Sequence, residues 1–190
     1  MTAWRSTGHR GDTLEDLIDL SNDYYHKQGL CRIDKAATPI KVVDINEQGL
    51  ITKGYFEKKA TVDFFGAVQG IPVAFDAKET DQKSLPLYNI HAHQVAYMEA
   101  FTAQKGLAFL ILHFKFCDAY FLVPFELLLK YWRGAEKGGR KSIPFTAMED
   151  RFRIPQARNG ILNYLPVLNA YLDYKAEQKA APPKNAEAPH

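Results

Sequence analysis

Asp63, Asp76 and Lys78 stand within the stretch TVDFFGAVQGIPVAFDAKET, and their types and spacing suit chemistry at a metal ion. The segment between the two acids is apolar and turns at Gln69-Gly70. With a two-residue turn, Val68 faces Ile71, and counting back along both strands sets Asp63 directly opposite Asp76 on one face. Like charges directly opposite are destabilising. Two close carboxylates do not both ionise cheaply unless something positive lies between them. A divalent cation removes the conflict, and oxygen ligands suit Mg²⁺, which keeps several waters and often shares substrate phosphates. Lys78 follows Asp76 by two residues and points to the same face. Its ammonium can hold a water or stabilise charge developing on a phosphate. The competing reading makes both acids solvent-facing, with Lys78 pairing one of them. The apolar flanks Val62, Phe64, Phe65, Val73, Phe75 and Ala77 and the direct register count against it.

The elements around this hairpin follow from periodicity. Leu14, Leu17, Ile18, Ser21, Tyr24 and Tyr25 have the spacing of one buried helix face, with Asp12 as cap, Glu15 as its capping-box partner and Gly29 as terminator. Two extended stretches separated by Pro39 come next, then the hairpin. A helix is predicted over 89–106, capped by Asn89 and stopped by Gly106. LAFLILHF and AYFLVPF read as strands. FELLLKYWRGAEKGGRKSI starts as a short helix and opens into a basic glycine-rich loop, and Pro166 to Lys179 reads as a last helix. This order predicts an α/β fold with a mixed central sheet flanked by helices.

The bulk composition excludes several classes. With 190 residues, 46% of them hydrophobic, the chain can bury one sizeable core. A net charge of +2 leaves no global field for nucleic acid, so any basic footprint is local. Cys31 and Cys117 are too few for a disulfide scaffold and have no ligand spacing, which makes them core thiols in a reducing compartment. The first residues contain no apolar signal-like run, and the longest apolar stretch, GLAFLILHF, is far short of the roughly 20 residues of a spanning helix. No membrane association and a cytoplasmic location are expected.

The pattern D-(12)-D-x-K on a hairpin resembles the PD-(D/E)xK nuclease motif. GDTLEDLIDLSNDYY, TVDFFGAVQGIPVAFDAKET, PLYNIHAHQ and FELLLKYWRGAEKGGRKSI, in this order and spacing, together resemble the RecU family of Holliday junction resolvases over roughly residues 10–172. The resemblance implies a restriction-endonuclease-like fold with a projecting β-ribbon stalk over about 35–59. It divides the chain into a basic arm (1–10), a nuclease domain (11–172) and a C-terminal extension (173–190). It implies a homodimer that uses Mg²⁺, or Mn²⁺ in its place, to cut four-way DNA junctions symmetrically in recombination and repair, and an association with RecA-type recombinases. Asp63 and Asp76 match the metal-binding acids, Lys78 the motif lysine, Gln94 a glutamine near the active site, and Glu15 an acid that can complete the metal site. Arg10 matches a basic region that contacts DNA, and Lys35 and Lys41 fall on the stalk. Three positions depart from the pattern. Asp76 stands where the family usually has Glu, Val62 where Thr is frequent, and HRG replaces a more typical N-R-G.

Other residues carry two readings each. Glu15 serves helix capping as well as a metal. His91 and His93 form H-x-H, but positions two apart on a helix do not face each other, so zinc is disfavoured. Lys130, Arg133, Lys137, Arg140 and Lys141 oppose Glu136 alone, and Gly138-Gly139 allows close approach of backbone to phosphate. Such cations either form a solvated basic loop or make phosphate contacts that position DNA without reading sequence. The match of GGRKSI to the family favours DNA, which nominates Arg133, Arg140 and Lys141. Two readings compete with a junction-cutting nuclease: a non-catalytic junction-binding or recombinase-regulating protein, and a duplex-specific nuclease of the same superfamily.

Overall fold

The computed structural model describes residues 14–37, 40–56, 61–156 and 160–180. The arm carrying Arg10, the Asp12 cap, Pro39, Lys58, Lys59 and the last ten residues lie outside them.

Helix α1 spans Leu14–Lys27 and buries Leu14, Ile18, Ser21 and Tyr25, as the helical spacing requires. Tyr24, predicted on the same face, is 43% exposed. It lies one residue round from Tyr25, and only Tyr25 reaches inward, where its hydroxyl donates to the carbonyl of Leu162 at 2.9 Å. Gly29 adopts the left-handed conformation (φ 69°) and lets Leu30 N donate back to Tyr25 O at 3.0 Å, closing the helix end.

Strand β1 (Cys31–Lys35) pairs antiparallel with β4 (Phe64–Val68), which pairs antiparallel with β5 (Ile71–Thr80). The β4–β5 turn is Gln69-Gly70 with φ of 48° and 86°, the two positive values of the hairpin turn that matches strand twist. Val68 faces Ile71, so the expected register holds. At Gly66 the hairpin approaches β1 so closely that an added Cβ would lie 2.0 Å from Arg32 O and 2.7 Å from Ile33 Cα. Gly66→Ala should therefore destabilise the fold by about 2–4 kcal/mol, read from denaturant unfolding, since backbone cannot yield as a side chain does.

The crossover from β5 runs through α2 (Ala92–Ala103) to β7 (Leu107–Phe114), which lies parallel to β5. Strands β8 (Ala119–Pro124) and β10 (Arg153–Ile154) complete a six-stranded mixed sheet in the order β1-β4-β5-β7-β8-β10. The continuous apolar run of β7 fits a central strand covered on both faces. One face packs α1 and α4 (Leu165–Ala180) around Ile18, Phe75, Phe109 and Tyr171, with Phe64, Phe75 and Phe109 stacked in series at 5.1 and 4.7 Å. The other face packs α2 and α3 (Phe125–Glu136) around Met98, Leu110, Val123 and Leu128. Helix α3 is longer than the short helix predicted, so Lys130 and Arg133 are helical and only 137–141 forms the basic loop. Helix α4 runs on to Ala180, so the boundary expected at 172 falls inside a helix.

Strands β2 (Ile40–Ile45) and β3 (Ile51–Phe56) pair only with each other in the sheet topology, and every residue of β2 is exposed. This is the predicted ribbon, but it is shorter than 35–59: Lys35 is paired with Phe64 in the central sheet. A last small ladder joins β6 (Ser84–Pro86) to β9 (Ser142–Pro144). Among the described residues no helix is long and apolar enough to cross a membrane.

Candidate active site

Strand alternation sends Phe75 and Ala77 into the α1–α4 core, and it sends Asp76 to the α2 side, where it is completely buried. A carboxylate without solvent needs donors and positive charge. Asp76 Oδ1 accepts the backbone N–H of Asp63 at 2.8 Å, and Asp76 Oδ2 accepts from Lys78 Nζ at 2.9 Å. Lys78 Nζ also stands 3.9 Å from Asp63 Oδ2, and its side chain is 15% exposed.

The expected ladder pair of Asp63 and Asp76 is corrected by the structure. Pairing stops at Phe64↔Phe75. On a regular strand Val62 and Phe64 would share a face, yet Val62 is buried in the α2-side core and Phe64 in the α1-side core. Burial of Val62 therefore turns the chain at Asp63. The turn aims the Asp63 N–H at Asp76 and lets Asp63 Oδ2 accept the Ala77 N–H at 2.9 Å. The carboxylates come together through this interlock, not through cross-strand pairing. Burial first, then the charge of Asp76, pushes the Asp63 carboxyl up to about 6, against the lowering effects of Lys78 and the Ala77 N–H; Glu15 raises it slightly.

Of the three, Lys78 lines a cleft of about 610 Å³, together with Glu15 from α1, Ala77 and Glu79 from β5, and Tyr88, Asn89 and His91 before α2. Glu15 stands at this mouth with its carboxylate bound to Lys35 Nζ at 2.9 Å. Lys35, nominated for DNA, is thus engaged with Glu15 and, at 3.6 Å, with Asp19. Gln94 is buried, and its Oε1 accepts the His91 backbone N–H at 3.0 Å. Gln94 therefore braces the start of α2, and the cap is His91 rather than the predicted Asn89. Because His91 precedes the helix in extended conformation, its ring stacks on that of His93 at 5.4 Å, a contact that helical spacing alone forbids.

The remaining nominated cations are dispersed. Lys41 is exposed on the ribbon, Arg133 pairs with Glu99 on α2, and Arg140 donates to Ser142 Oγ at 3.1 Å. Lys141 is exposed, and its carbonyl accepts the Leu87 N–H at 3.0 Å. Cys31 is buried, as expected of a core thiol, whereas Cys117 is exposed in the turn between β7 and β8. Sequence reasoning missed Glu79, which pairs with His113 at 3.3 Å and Lys115 at 3.2 Å, and the cleft residues Tyr88 and Asn89. Alternation puts Glu79 on the face opposite Lys78, so strand pattern alone argues against it; only the end of the sheet brings both to one cleft.

Among the described residues no three His, Cys, Asp or Glu side chains converge to cage a metal. Two carboxylates share one ammonium, and one of them is raised to about 6 by burial and by the charge of the other, which leaves room for a further cation. That set fits Mg²⁺, which takes one or two protein carboxylates and keeps its waters.

The structure is thus a mixed central sheet flanked by helices, with two acids and a lysine brought together at the open end of its β4–β5 hairpin. The chain belongs to the RecU family: the model of Recombination protein U matches residues 9–170. It is 38% identical over 178 residues to the Holliday junction resolvase RecU of Staphylococcus carnosus (strain TM300), covering 90% of this chain and 86% of the relative. It is 38% identical over 168 residues to that of Lactococcus lactis subsp. cremoris (strain MG1363), covering 85% and 78%. A solved structure of Archaeoglobus fulgidus Hjc, a Holliday junction resolvase, overlaps 35% of this chain and 52% of its own at 18% identity, with a TM-score of 0.29, too low to inform fold or function.

Proposed function

We propose that this protein is a structure-specific endonuclease that resolves four-way (Holliday) DNA junctions by symmetric phosphodiester hydrolysis in recombination and repair. The observation that carries the reading is the interlocked Asp63–Asp76–Lys78 set, whose lysine lines an open cleft, in a chain of the RecU family. Asp63 and Asp76 would hold a divalent cation, Mg²⁺ or Mn²⁺. Such an ion supplies Lewis-acid neutralisation of the phosphate and a more acidic water.

The chain's own groups have distinct tasks. Asp76 fixes Lys78 at 2.9 Å, and this restraint presents the ammonium where negative charge grows during P–O cleavage. The Ala77 N–H holds Asp63 Oδ2 in place, so that carboxylate needs no rearrangement to act as a ligand. Gln94 serves by holding the start of α2, and with it His91, against the cleft. Glu15 would enter the metal site only on leaving Lys35. DNA would be gripped by Lys41, Arg133, Arg140 and Lys141, with Arg10 of the 1–10 arm, through non-specific phosphate contacts.

Two strands must be cut, and a two-fold homodimer supplies two sites at symmetric spacing. A RecA-type recombinase is a further partner, and the cytoplasm the place of action.

The test compares a four-way junction with a linear duplex of the same sequence, in Mg²⁺ and in EDTA. Paired symmetric nicks confined to the junction and to Mg²⁺ are expected. Equal cutting of the duplex would assign a duplex nuclease, and tight junction binding without cutting a non-catalytic binder.

A further inference from the structure

Beside the active cleft lies a second concavity of about 370 Å³, and Tyr88 lines both. Its walls are largely apolar, with Glu136 and Lys141 the charged residues of the lining. Leu87 and Ile90 are almost completely buried beneath it, and Trp132 of α3 forms one side. Tyr88 is 77% exposed, the highest value among the exposed large hydrophobic side chains of the described residues. An aromatic ring left this open gains nothing from the core. Yet its backbone is held firmly, in a short 3-10 turn where the Leu87 N–H donates to Lys141 O at 3.0 Å and the Ile90 N–H to Leu87 O at 3.0 Å. A rigid turn thus presents a bare ring between the catalytic cleft and an apolar groove. Lys141, at the end of the basic loop and bonded through its carbonyl to the Leu87 N–H, also lines the groove.

We propose that this groove receives a nucleobase of the DNA strand being cut, unstacked next to the scissile phosphate and held on the Tyr88 ring against Trp132. The occupant follows from the surroundings. The chain that reaches the groove is continuous with the one whose phosphate lies in the cleft, because the two concavities share Tyr88. A base has two faces for aromatic contact, and its backbone phosphate finds the ammonium of Lys141. Stacking of this kind tolerates any base and depends on the strand being open. A duplex keeps its bases stacked, whereas the strand exchange point of a junction frees them cheaply. The groove would therefore act as a specificity determinant for branched over linear DNA. This deepens the endonuclease reading and rests on it.

The test places 2-aminopurine, a fluorescent base quenched by stacking, at each nucleotide flanking the cut in a four-way junction. Binding is measured in Ca²⁺ and cutting in Mg²⁺ for the wild type, Tyr88→Ala and Tyr88→Phe. Tyr88 is exposed enough that its removal should leave the thermal unfolding midpoint unchanged. The wild type and Tyr88→Phe should perturb the fluorescence at one flanking position, and Tyr88→Ala should not. Junction cutting by Tyr88→Ala should fall about 5- to 100-fold, the size of one lost base–aromatic stack, and Tyr88→Phe should restore it. Tyr88→Ala cutting within about twofold of the wild type, with unchanged fluorescence, would overturn the groove's role while leaving the endonuclease reading intact. A wild type that neither binds nor cuts the junction would overturn both.

Discussion

Asp76→Asn is expected to reduce junction cleavage by about 10³-fold or more while leaving junction binding within a few-fold of the wild type. The asymmetry follows from position. Asp76 is completely buried, and its carboxylate accepts from the Asp63 N–H and from Lys78, so it cannot contribute to gripping DNA from outside. Its negative charge holds Lys78 in place, and on the proposed reading it would make half of the donor set for a cation. An asparagine keeps the volume and can still accept the Asp63 N–H, but its amide group would meet the Lys78 ammonium donor to donor. The ammonium would then lose its restraint together with the metal. Cleavage assays in Mg²⁺ paired with gel-shift titrations in Ca²⁺ separate the two effects. Full cutting by the variant would refute the assignment. Asp76, although shorter by a methylene than a glutamate, reaches both the Asp63 N–H and Lys78.

Asp63→Asn should do something less expected: abolish cutting and stabilise the metal-free protein. The folded-state carboxyl of Asp63 is pushed up to about 6 from an ordinary 3.8 by burial and by Asp76. A carboxyl raised on folding binds its proton more tightly in the folded than in the unfolded chain. Stability is therefore highest below the unfolded value and is lost as pH rises from about 4 through about 6. A shift of that size corresponds to about 3 kcal/mol, and the 22% exposure of the side chain reduces it to about 1–2 kcal/mol. Asparagine carries no charge to relieve and can keep the hydrogen bond from Ala77 N–H. Urea unfolding in EDTA should show the variant more stable than the wild type by that amount at about pH 7.5 and indistinguishable at about pH 4. A variant less stable at the higher pH would mean that the two acids do not repel. The same repulsion makes the site receptive to a cation, so Mg²⁺ should raise the melting temperature of the wild type and not of this variant.

The two predictions together separate what local sequence determines from what packing decides. The hairpin was legible in the sequence: on a two-residue turn at Gln69-Gly70 the register follows, and the period of two places Asp76 and Lys78 on one face, while the structure supplied the turn itself. The sequence also settles the buried central strand β7 and most of the inward face of α1, Tyr24 excepted, because both depend on neighbours a few residues away. Family membership was legible from four segments in order. Only the tertiary structure decided the site's contacts. Asp63 leaves the ladder because Val62 is drawn into the α2-side core, a competition between two cores that no local period records. Glu15 meets Lys35, and Glu79 meets His113, across 20 and 34 residues of chain. Gln94 is committed to the helix start, since the residue that caps α2 depends on where the preceding turn is pinned to Lys141. Charges choose partners by distance in space, and distance between remote segments is set by how their apolar faces pack.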